Sequence, residues 1–546
     1  MSGAQAVADT ASDSSRPAFP GSPYTPEHPV PLRLAYALVS VLLGICATLG
    51  NALVSVNMPA LAGCLGNYVA EASLLPAIYV AMNAGANLSL VKARIQFGIP
   101  RVSYVLLSLY IAATLVQMAA PGLATAALVR GASGLAAAGL TTLTLYYALQ
   151  AMPVSLRAVA MVVAIMLPSF GTPIARLFPV EFLAQHAWQG LHLIELGCAL
   201  LAGLLITCLP LPKSDRQPAF EALDFVSIPL LLGAITLLCI VLGMGRSLWW
   251  ADTPWLAWAL MGSLILGALG LLIERLRQRP LLQLDWLYSG EMLRFAAVIF
   301  MVRLALAEQS YGSVGLLSAA GLNNEQFHTL FALVMLAMLA GVVVAVLTLS
   351  EKRLTGQVVV AALLIALGAW LDSQSNSLTR PEQLYISQML IGFGTSLFIG
   401  PALLYGFMRM ARLGPSHMIS FFVLFSLTQN IGGLAGSALL GSYQTLSARA
   451  HMAALSEHLQ MADVQVAARI QAGTAALGAT VPDPLLRSAQ GAASLSQAMA
   501  REANALAFND VFRLVAVLAL LTALYLGLRI AFNAYQQRQD KQGVSP

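Results

Sequence analysis

The feature of this sequence that most limits its fold is a series of long apolar runs joined by short polar connections. About fourteen runs of roughly 20 apolar residues lie between residues 35 and 532, and one helical run of that length crosses the hydrocarbon core of a bilayer. A backbone inside lipid must satisfy its own hydrogen bonds, so runs of this length are predicted to be helices. The sequence therefore predicts an all-α membrane protein.

Composition excludes a large soluble domain. Hydrophobic residues make up 58% of the chain and charged residues 10%, whereas soluble domains carry roughly 25% charged residues. The 5 cysteines form no CxxC pair, so neither a disulfide framework nor a metal site is predicted. The nucleotide-binding pattern GxxxxGK[ST] is absent, and we predict neither an enzyme nor a cofactor. We attribute the net charge of +5 to membrane topology and predict no nucleic-acid partner.

The basic residues are distributed unevenly between alternate connections. If the N-terminus is cytoplasmic, the connections and tail on that side hold Lys92, Arg94, Arg101, Arg157, Lys213, Arg216, Arg275, Arg277, Arg279, Lys352, Arg353, Arg409, Arg412, Arg538 and Lys541. The short connections on the other side hold only Arg176, Arg246 and Arg380. Short cytoplasmic loops are enriched in Lys and Arg. We therefore predict an even number of spans with both termini in the cytoplasm; the membrane itself is expected to be a bacterial inner membrane.

Two similar connections are interpreted either as an internal repeat or as the short, basic, glycine-containing sequence that any cytoplasmic loop can have. Residues 91–98 and 351–356 both place basic residues shortly before a glycine, at corresponding points of two six-run units. Transporters built from parallel halves place their substrate site between them. The predicted domains are listed in chain order: a disordered cytoplasmic tail (1–34), a six-helix bundle (35–211), two extra transmembrane helices with linkers (212–292), a second six-helix bundle (293–532) and a cytoplasmic tail (533–546). Within the second bundle, the polar segment 442–508 is interpreted either as a solvated cap outside the membrane or as a docking surface for another protein.

One charged residue lies well inside the fourth apolar run, residues 123–147. A charge such as Arg130 at membrane depth costs at least ~2.5–3.5 kcal/mol on insertion scales. Small residues at four-residue spacing surround it, among them Gly134, and permit close helix packing. We predict that Arg130 and Gly134 share a narrow functional face. Arg130 must then meet an acidic side chain, backbone carbonyls or cavity water.

Few other ionisable residues lie within the runs. Glu308 and Arg303 are five residues apart, about 140° around a helix axis, so each is expected to meet a partner on another helix. Glu308 is interpreted as a proton carrier or as a wetted residue at the outer mouth. Arg303 is interpreted as a proton-coupling residue or as a structural ion-pair partner. Glu195 follows His192 by three residues, so the two lie on one helix face. The pair is interpreted as a proton relay or as a polar pair near the membrane surface.

Polar side chains within other runs are candidates for a substrate cavity. They are Asn51, Tyr147, Gln429 and Asn430. The alternative interpretation is that these groups form interhelical hydrogen bonds or pack between helices.

Several of these segments resemble motifs of the major facilitator superfamily, specifically its fourteen-span drug:proton antiporter branch. Residues 128–134 are similar to the fourth-helix motif, in which an arginine precedes a glycine by four positions. Residues 59–66 resemble the end of the first-helix motif, and residues 94–101 resemble the loop after the second helix. The end of the polar segment, residues 497–512, resembles the periplasmic loop of members that work with an adaptor protein.

The sequence departs from this family's pattern at identifiable positions. Gly50 stands where the first-helix motif often has an acidic residue, and Ile95 stands at the usual aspartate of the loop motif. Residues 168–173 replace the Gly-Pro antiporter motif of the fifth helix.

The resemblance implies two six-helix bundles of major facilitator type with two extra central helices. It also implies proton-driven efflux of hydrophobic or amphipathic drugs, with a periplasmic adaptor and an outer-membrane channel as possible partners. The proton gradient would then be the energy source. Two other functions stay open: transport of one specific metabolite, such as a siderophore or aromatic acid, and a non-transporting membrane sensor.

Overall fold

The computed structural model describes residues 21–457, 463–476 and 483–543, and the regular structure in these ranges is helical, without a strand. Within them, 13 helices are long and apolar enough to cross a membrane. The protein is therefore a multi-pass, all-α membrane protein, as the apolar runs predict.

The long helices form two bundles with a pair between them. The N-terminal bundle contains α1 (Val30–Val56), α2 (Leu74–Phe97), α3 (Ile99–Ala119), α4 (Leu123–Ala151), α5a (Arg157–Met166), α5b (Gly171–Arg176) and α6 (Gln185–Cys208). The central pair is α7 (Asp224–Gly245) and α8 (Pro254–Leu276). The C-terminal bundle contains α9a (Gly290–Ala305), α9b (Val314–Ala319), α10 (His328–Leu347), α11 (Leu354–Asp372), α12 (Tyr385–Leu413), α13 (Met418–Glu457) and α14 (Pro484–Gly543).

Shorter helices connect these elements. They are Met58–Cys64, Val69–Ala72, Val180–Leu183, Leu284–Leu287 and Val464–Ala476, with 3₁₀ turns at Val154–Leu156, Leu167–Phe170, Asn324–Phe327, Pro381–Leu384 and Pro415–His417. We call the end of the bundles at which α1 begins the N-terminal face. The opposite end, where α13 finishes, is the loop face.

The difference between fourteen predicted runs and 13 long helices lies in the ninth run. Its helix α9a ends at Ala305, and a π-helical turn, Glu308–Ser313, separates it from α9b. Each part is shorter than a span, although together they follow the predicted run. The turn contains polar residues and Gly312, which weaken the regular helix. Such π-turns occur frequently at functional sites.

The two bundles share several helix contacts, although the extensive packing of α1 on α4 has no counterpart between α9a and α12. Helix α4 packs against α2 and α3, and α12 packs against α10 and α11 in the same way. Likewise, α1 contacts α5b and α6, while α9a contacts α13 and α14. The bundles meet where α2 lies against α13 and where α5 lies against α10 and α12. The predicted arrangement of two six-helix bundles with an extra pair is confirmed.

A buried ionic cluster attaches the extra helices to the N-terminal bundle. Lys92 Nζ on α2 lies 2.6 Å from one carboxylate oxygen of Asp224, and Arg277 lies 2.8 Å from the other. Arg277 also pairs with Glu274 at 3.0 Å and with Glu221 at 2.7 Å. Burial opposes the charge of Arg277, but hydrogen bonds to Asp224 and Glu221 raise its pKa above the ordinary value. This cluster fixes α7 and α8 beside the junction of the two bundles.

The predicted disordered tail, residues 1–34, is corrected in its second part. Residues 21–29 are extended and hydrogen-bonded to the N-terminal face, and α1 begins at Val30. The Tyr24 amide donates to the Lys213 carbonyl at 3.0 Å, and the Gln150 side chain donates to the Tyr24 carbonyl at 2.8 Å. These tertiary contacts order a segment that has no helical pattern of its own. Residues 1–20 lie outside the described residues.

The polar segment 442–508 is largely helical where the structure describes it. Helix α13 continues to Glu457 and α14 begins at Pro484, so both extend past the apolar spans at the loop face. They are joined by polar contacts, including Gln444 to Asn504 at 2.8 Å and His451 to Asp510 at 2.7 Å. At the other end, α14 carries the predicted C-terminal tail as a helix to Gly543, and residues 544–546 lie outside the described residues.

Close packing of α4 on α2 depends on Gly134. A Cβ atom at this position would lie 2.6 Å from the Tyr79 carbonyl oxygen and 3.0 Å from Met82 Cβ. At Gly131, on the same helix, the nearest atom would be 3.7 Å away, an ordinary contact.

We therefore expect Gly134→Ala to lower the stability of the purified protein. Overpacking of this kind costs about 1–3 kcal/mol, because the helix backbones must separate. The matched change Gly131→Ala should leave the melting temperature in detergent unchanged or raise it, since alanine favours the helix. Equal melting temperatures for the two variants would contradict the packing described above.

Candidate functional site

The N-terminal bundle contains a buried ion pair between α4 and α6. Arg130 Nη2 donates to Glu195 Oε1, and the side chains of Arg130 and Glu195 are 2% and 0% exposed. The second oxygen of Glu195 lies 3.1 Å from His192 Nδ1. The acidic partner that Arg130 requires is thus supplied by the sixth span. The predicted shared face of Glu195 and His192 is confirmed.

Gly50 makes room for this carboxylate. A Cβ atom at Gly50 would lie 3.0 Å from Glu195 Oε1 and 2.9 Å from the Tyr110 hydroxyl. Any side chain on α1 at this position would therefore displace Glu195 or Tyr110. The usual first-helix position for an acidic residue is therefore occupied by a glycine, and the Glu195 carboxylate of α6 lies in the space next to Gly50.

Tyrosines enclose the pair and complete its apolar surroundings. Tyr79 and Tyr110 are both buried, and the Tyr79 hydroxyl donates to the Ala47 carbonyl at 3.3 Å. A buried charge is tolerated when its partner is equally buried and hydrogen-bonded. The Arg130–Glu195 pair therefore joins α4 to α6 as a neutral unit, and Arg130 Nη1 is buried beside it without a hydrogen bond among the described residues.

The C-terminal bundle contains a different cluster, built from two carboxyl groups and one amide. Glu308 and Asp372 are 0% and 1% exposed. Gln388 Nε2 donates to Glu308 Oε1 at 3.1 Å and to Asp372 Oδ2 at 2.7 Å. The complete burial of Glu308 excludes the interpretation that it is wetted at the outer mouth.

Asp372 is the member of this cluster that sequence reasoning missed. It is the last residue of α11, where an acidic residue usually marks the end of an apolar run at the membrane surface. Its approach to Glu308 depends on the packing of α11 and α12 against the π-helical turn. The sequence contains no local signal for that approach.

The cluster has the chemistry of a proton-binding site. In the described part of the chain, neither carboxyl group pairs with Lys, Arg or His. Two neighbouring carboxylates in an apolar environment repel each other, and a proton on one of them removes that repulsion. Glu308 and Asp372 can therefore hold one proton between them, with Gln388 bridging both groups.

Arg303 lies on the other side of the break in the ninth span. Its Nε donates to the Gln429 carbonyl on α13 at 3.0 Å. A Cβ atom at Gly432 or Gly433 would lie 3.1 Å or 3.3 Å from Arg303 atoms, so these two glycines provide space for the arginine. Glu308 and Arg303 thus contact different helices, which confirms the prediction that each meets a partner elsewhere.

The four cavity candidates are not gathered in one place. Asn430 donates to Asn83 Oδ1 at 3.3 Å, across the junction of α13 with α2. Gln429 lies beside it, and its Nε2 is buried without a hydrogen bond among the described residues, as is the Asn51 side-chain oxygen. Tyr147 is fully buried at the far end of α4, where its hydroxyl donates to the Leu209 carbonyl at 2.6 Å.

The two clusters occupy corresponding places in the repeated bundles. Arg130 on α4 precedes Gly134 by four residues, and Gln388 on α12 precedes Gly392 by the same spacing. Gly392 approaches the Val334 carbonyl of α10, as Gly134 approaches a carbonyl of α2. One bundle therefore has a cation at this position and the other has a neutral amide. The carboxyl groups beside them are neutralised in one bundle and left without a cation in the other.

Comparison with known proteins supports the fold. No protein-family model and no curated protein matches the chain. Similar solved structures include the major facilitator superfamily proton:xylose symporter XylE bound to 6-bromo-6-deoxy-D-glucose, at 13% identity and a TM-score of 0.50, covering 92% of this chain and 96% of that chain. A structure of proton-dependent oligopeptide transporters has 11% identity and a TM-score of 0.53, covering 92% and 99%. A bacterial homologue of the human drug peptide transporters has 12% identity and a TM-score of 0.51, covering 93% and 99%.

All three of these neighbours are described as transporters or symporters, and the xylose symporter is described as a major facilitator superfamily protein. At 11% to 13% identity the likeness concerns the fold alone. The chain is a multi-pass membrane protein of this fold.

The Arg130–Glu195 pair gives a prediction for stability. Removing one partner of a buried pair costs about 3–5 kcal/mol, because the remaining charge is left uncompensated in apolar surroundings. We expect Arg130→Met and Glu195→Gln each to lower the melting temperature in detergent. The double variant should lose less than the sum of the two single changes. Additive losses would show that the two charges do not stabilise each other.

Proposed function

We propose that the protein is a secondary-active transporter that exports hydrophobic or amphipathic compounds in exchange for protons. The observation that carries this proposal is the buried cluster of Glu308, Asp372 and Gln388. A coupled exporter needs an ionisable group that is neutral when buried and releases its proton when it meets water. Two carboxyl groups without a cation fit this requirement, whereas the neutralised Arg130–Glu195 pair does not.

The break in the ninth span supports the proposal that the cluster of Glu308, Asp372 and Gln388 moves during transport. Glu308 opens the π-helical turn, and Gly312 within that turn lies against Phe512 of α14, where an added Cβ atom would be 2.7 Å from the ring. Alternating access involves rocking of one bundle against the other. In our proposal the turn shifts during this rocking, so that Glu308 and Asp372 meet each side of the membrane in sequence.

The N-terminal bundle has the supporting role in this scheme. Arg130 and Glu195 remain paired in both states and keep α4 and α6 together, so that the bundle moves as one body. Asn83 and Asn430 make a weak contact across the junction, 3.3 Å long, which can break and re-form as the bundles move.

The cellular setting follows from the basic residues. Their concentration at the N-terminal face favours a cytoplasmic position for that face and for both termini. With a bacterial inner membrane, substrate leaves the cytoplasm as protons enter it. This setting agrees with the resemblance to the fourteen-span drug:proton antiporter branch.

The coupling can be tested in everted membrane vesicles with ethidium and Hoechst 33342 as probe substrates. A pH-sensitive dye should report proton release from energised vesicles when either probe is added. We expect Glu308→Gln and Asp372→Asn each to abolish this release, because a neutral amide cannot carry the proton. The exposed Glu382→Gln, near the start of α12, is the matched control and should behave as wild type.

Folded variants are identified by their gel-filtration profile before the assay. Probe-induced proton release that persists in both Glu308→Gln and Asp372→Asn would rule out the cluster as the coupling site. If neither probe releases protons from wild-type vesicles, broad drug export is contradicted. The growth of a deletion strain on siderophores and aromatic acids then tests the alternative of a single metabolite.

The helical extension at the loop face supports a second proposal, that a periplasmic adaptor docks there and connects the transporter to an outer-membrane channel. Helices α13 and α14 contain 40 and 60 residues, and a span needs only about 20. The extra turns pack against each other, and the short helix Val464–Ala476 packs against α14. Val464 on the short helix and Leu485 on α14 are 80% and 81% exposed. In our proposal these apolar side chains contact the adaptor.

Deletion of residues 450–500 tests the docking proposal. Export from whole cells should be lost, because the adaptor can no longer connect the transporter to the cell exterior. Probe transport in everted vesicles, which does not need an adaptor, should persist. Equal loss in both assays would indicate that the extension is a structural cap.

A further inference from the structure

A cavity lies within the C-terminal bundle, at the opposite end from the Glu308 cluster. It is a small cleft bordered by α9a, α11, α12 and α14 at the N-terminal face, and its volume is about 60 Å³. Its walls are apolar, with Ile299, Leu354 and Phe398 each at most 1% exposed. Aromatic rings of Phe295 and Tyr405, whose centroids are 5.9 Å apart, stack beside it.

The mouth of this cavity is cationic. Arg294 on α9a is exposed and Arg529 on α14 is half-buried, and both line the cavity. The carboxylate at the mouth, Glu291, already contacts Arg409. Within the described ranges, neither Arg294 nor Arg529 forms an ion pair with a carboxylate. Two guanidinium groups are therefore available at the opening of an apolar chamber.

The corresponding place in the N-terminal bundle is closed by the protein itself. Tyr147 on α4 has the same spacing from Arg130 as Tyr405 on α12 has from Gln388. The Tyr147 hydroxyl donates to the Leu209 carbonyl at the end of α6, and its ring lies 5.8 Å from that of Tyr36. Residues 21–29 lie beside these rings, with the His28 ring 4.9 Å from that of Tyr36. In the C-terminal bundle, Tyr405 faces the cavity instead.

We propose that this cleft binds an anionic phospholipid of the surrounding bilayer, with its phosphate on Arg294 and Arg529 and only the first methylene groups of an acyl chain in the cleft. The inference does not depend on the proposed transport function.

The position and the chemistry of the cavity favour this ligand. Helices α9a and α11 both begin at this end, so the arginines lie where lipid headgroups meet the hydrocarbon region. Basic pockets between transmembrane helices on the cytoplasmic side are suited to anionic lipid headgroups. Arginine forms paired hydrogen bonds with phosphate oxygens. Tyr525, 39% exposed beside Arg529, presents a ring and a hydroxyl at the same level, as interfacial tyrosines do.

Native mass spectrometry of the purified full-length protein tests the site directly. Dioleoylphosphatidylglycerol should bind with about thirtyfold higher affinity than dioleoylphosphatidylcholine, since each of the two arginines contributes about 1 kcal/mol toward an anionic lipid at a membrane surface. Arg294→Gln and Arg529→Gln should each remove most of that preference. Arg275→Gln, an exposed arginine on the same face but outside the cavity, is the matched control and should retain it.

A second variant separates the cavity from simple surface charge. Val298→Trp, at a half-buried position of the wall, should block the acyl chain and weaken phosphatidylglycerol binding while both arginines remain. The proposal is overturned if the preference for phosphatidylglycerol survives in Arg294→Gln and Arg529→Gln. It is also overturned if Val298→Trp binds the lipid as wild type does. Displacement of the lipid by inorganic phosphate alone would instead identify an ion site, and would likewise overturn the lipid proposal.

Discussion

The cost of a charge in an apolar environment governs the functional parts of this structure. Among the described residues, the buried carboxylates and arginines discussed above either pair with a group on another helix or belong to a cluster that can hold a proton. Arg130 is neutralised by Glu195, and Asp224 is neutralised by Lys92 and Arg277. Glu308 and Asp372 share an amide donor but no cation among the described residues. Because of that contrast, we propose the proton-coupling site in the C-terminal bundle. In the N-terminal bundle, the Arg130–Glu195 pair is proposed only to hold α4 and α6 together.

Small residues allow the repeated bundles to carry these different clusters. Gly134 and Gly392 bring α4 and α12 against the backbones of α2 and α10, so the helix framework is the same in both halves. Gly50 then accommodates Glu195, and Gly432 and Gly433 accommodate Arg303. The two halves therefore share this close packing, while single side chains decide whether a buried carboxylate is neutralised by a cation or can hold a proton.

Much of the fold could be predicted from the sequence, and the candidate site only in part. The apolar runs predicted the spans, and Arg130, Glu195 and Glu308 were recognised because ionisable residues are rare within them. The break after Ala305, the order of residues 21–29 and the role of Asp372 were not predicted. Each of these depends on contacts between segments far apart in the chain. Tyr147, predicted as a cavity residue, instead bonds to the end of α6.

The sequence by itself determined the number and length of the apolar segments, the all-α class and the short set of costly charges. These properties are local, since a run of about 20 apolar residues must form a helix in lipid whatever its neighbours are. Only the tertiary structure decided which helix supplies the partner of each buried charge, because that depends on how segments far apart in the chain pack together. Glu195 reaches Arg130 from 65 residues away, and Gln388 reaches Glu308 from 80 residues away. Helix packing brings these groups together, and no local sequence pattern predicts the contact.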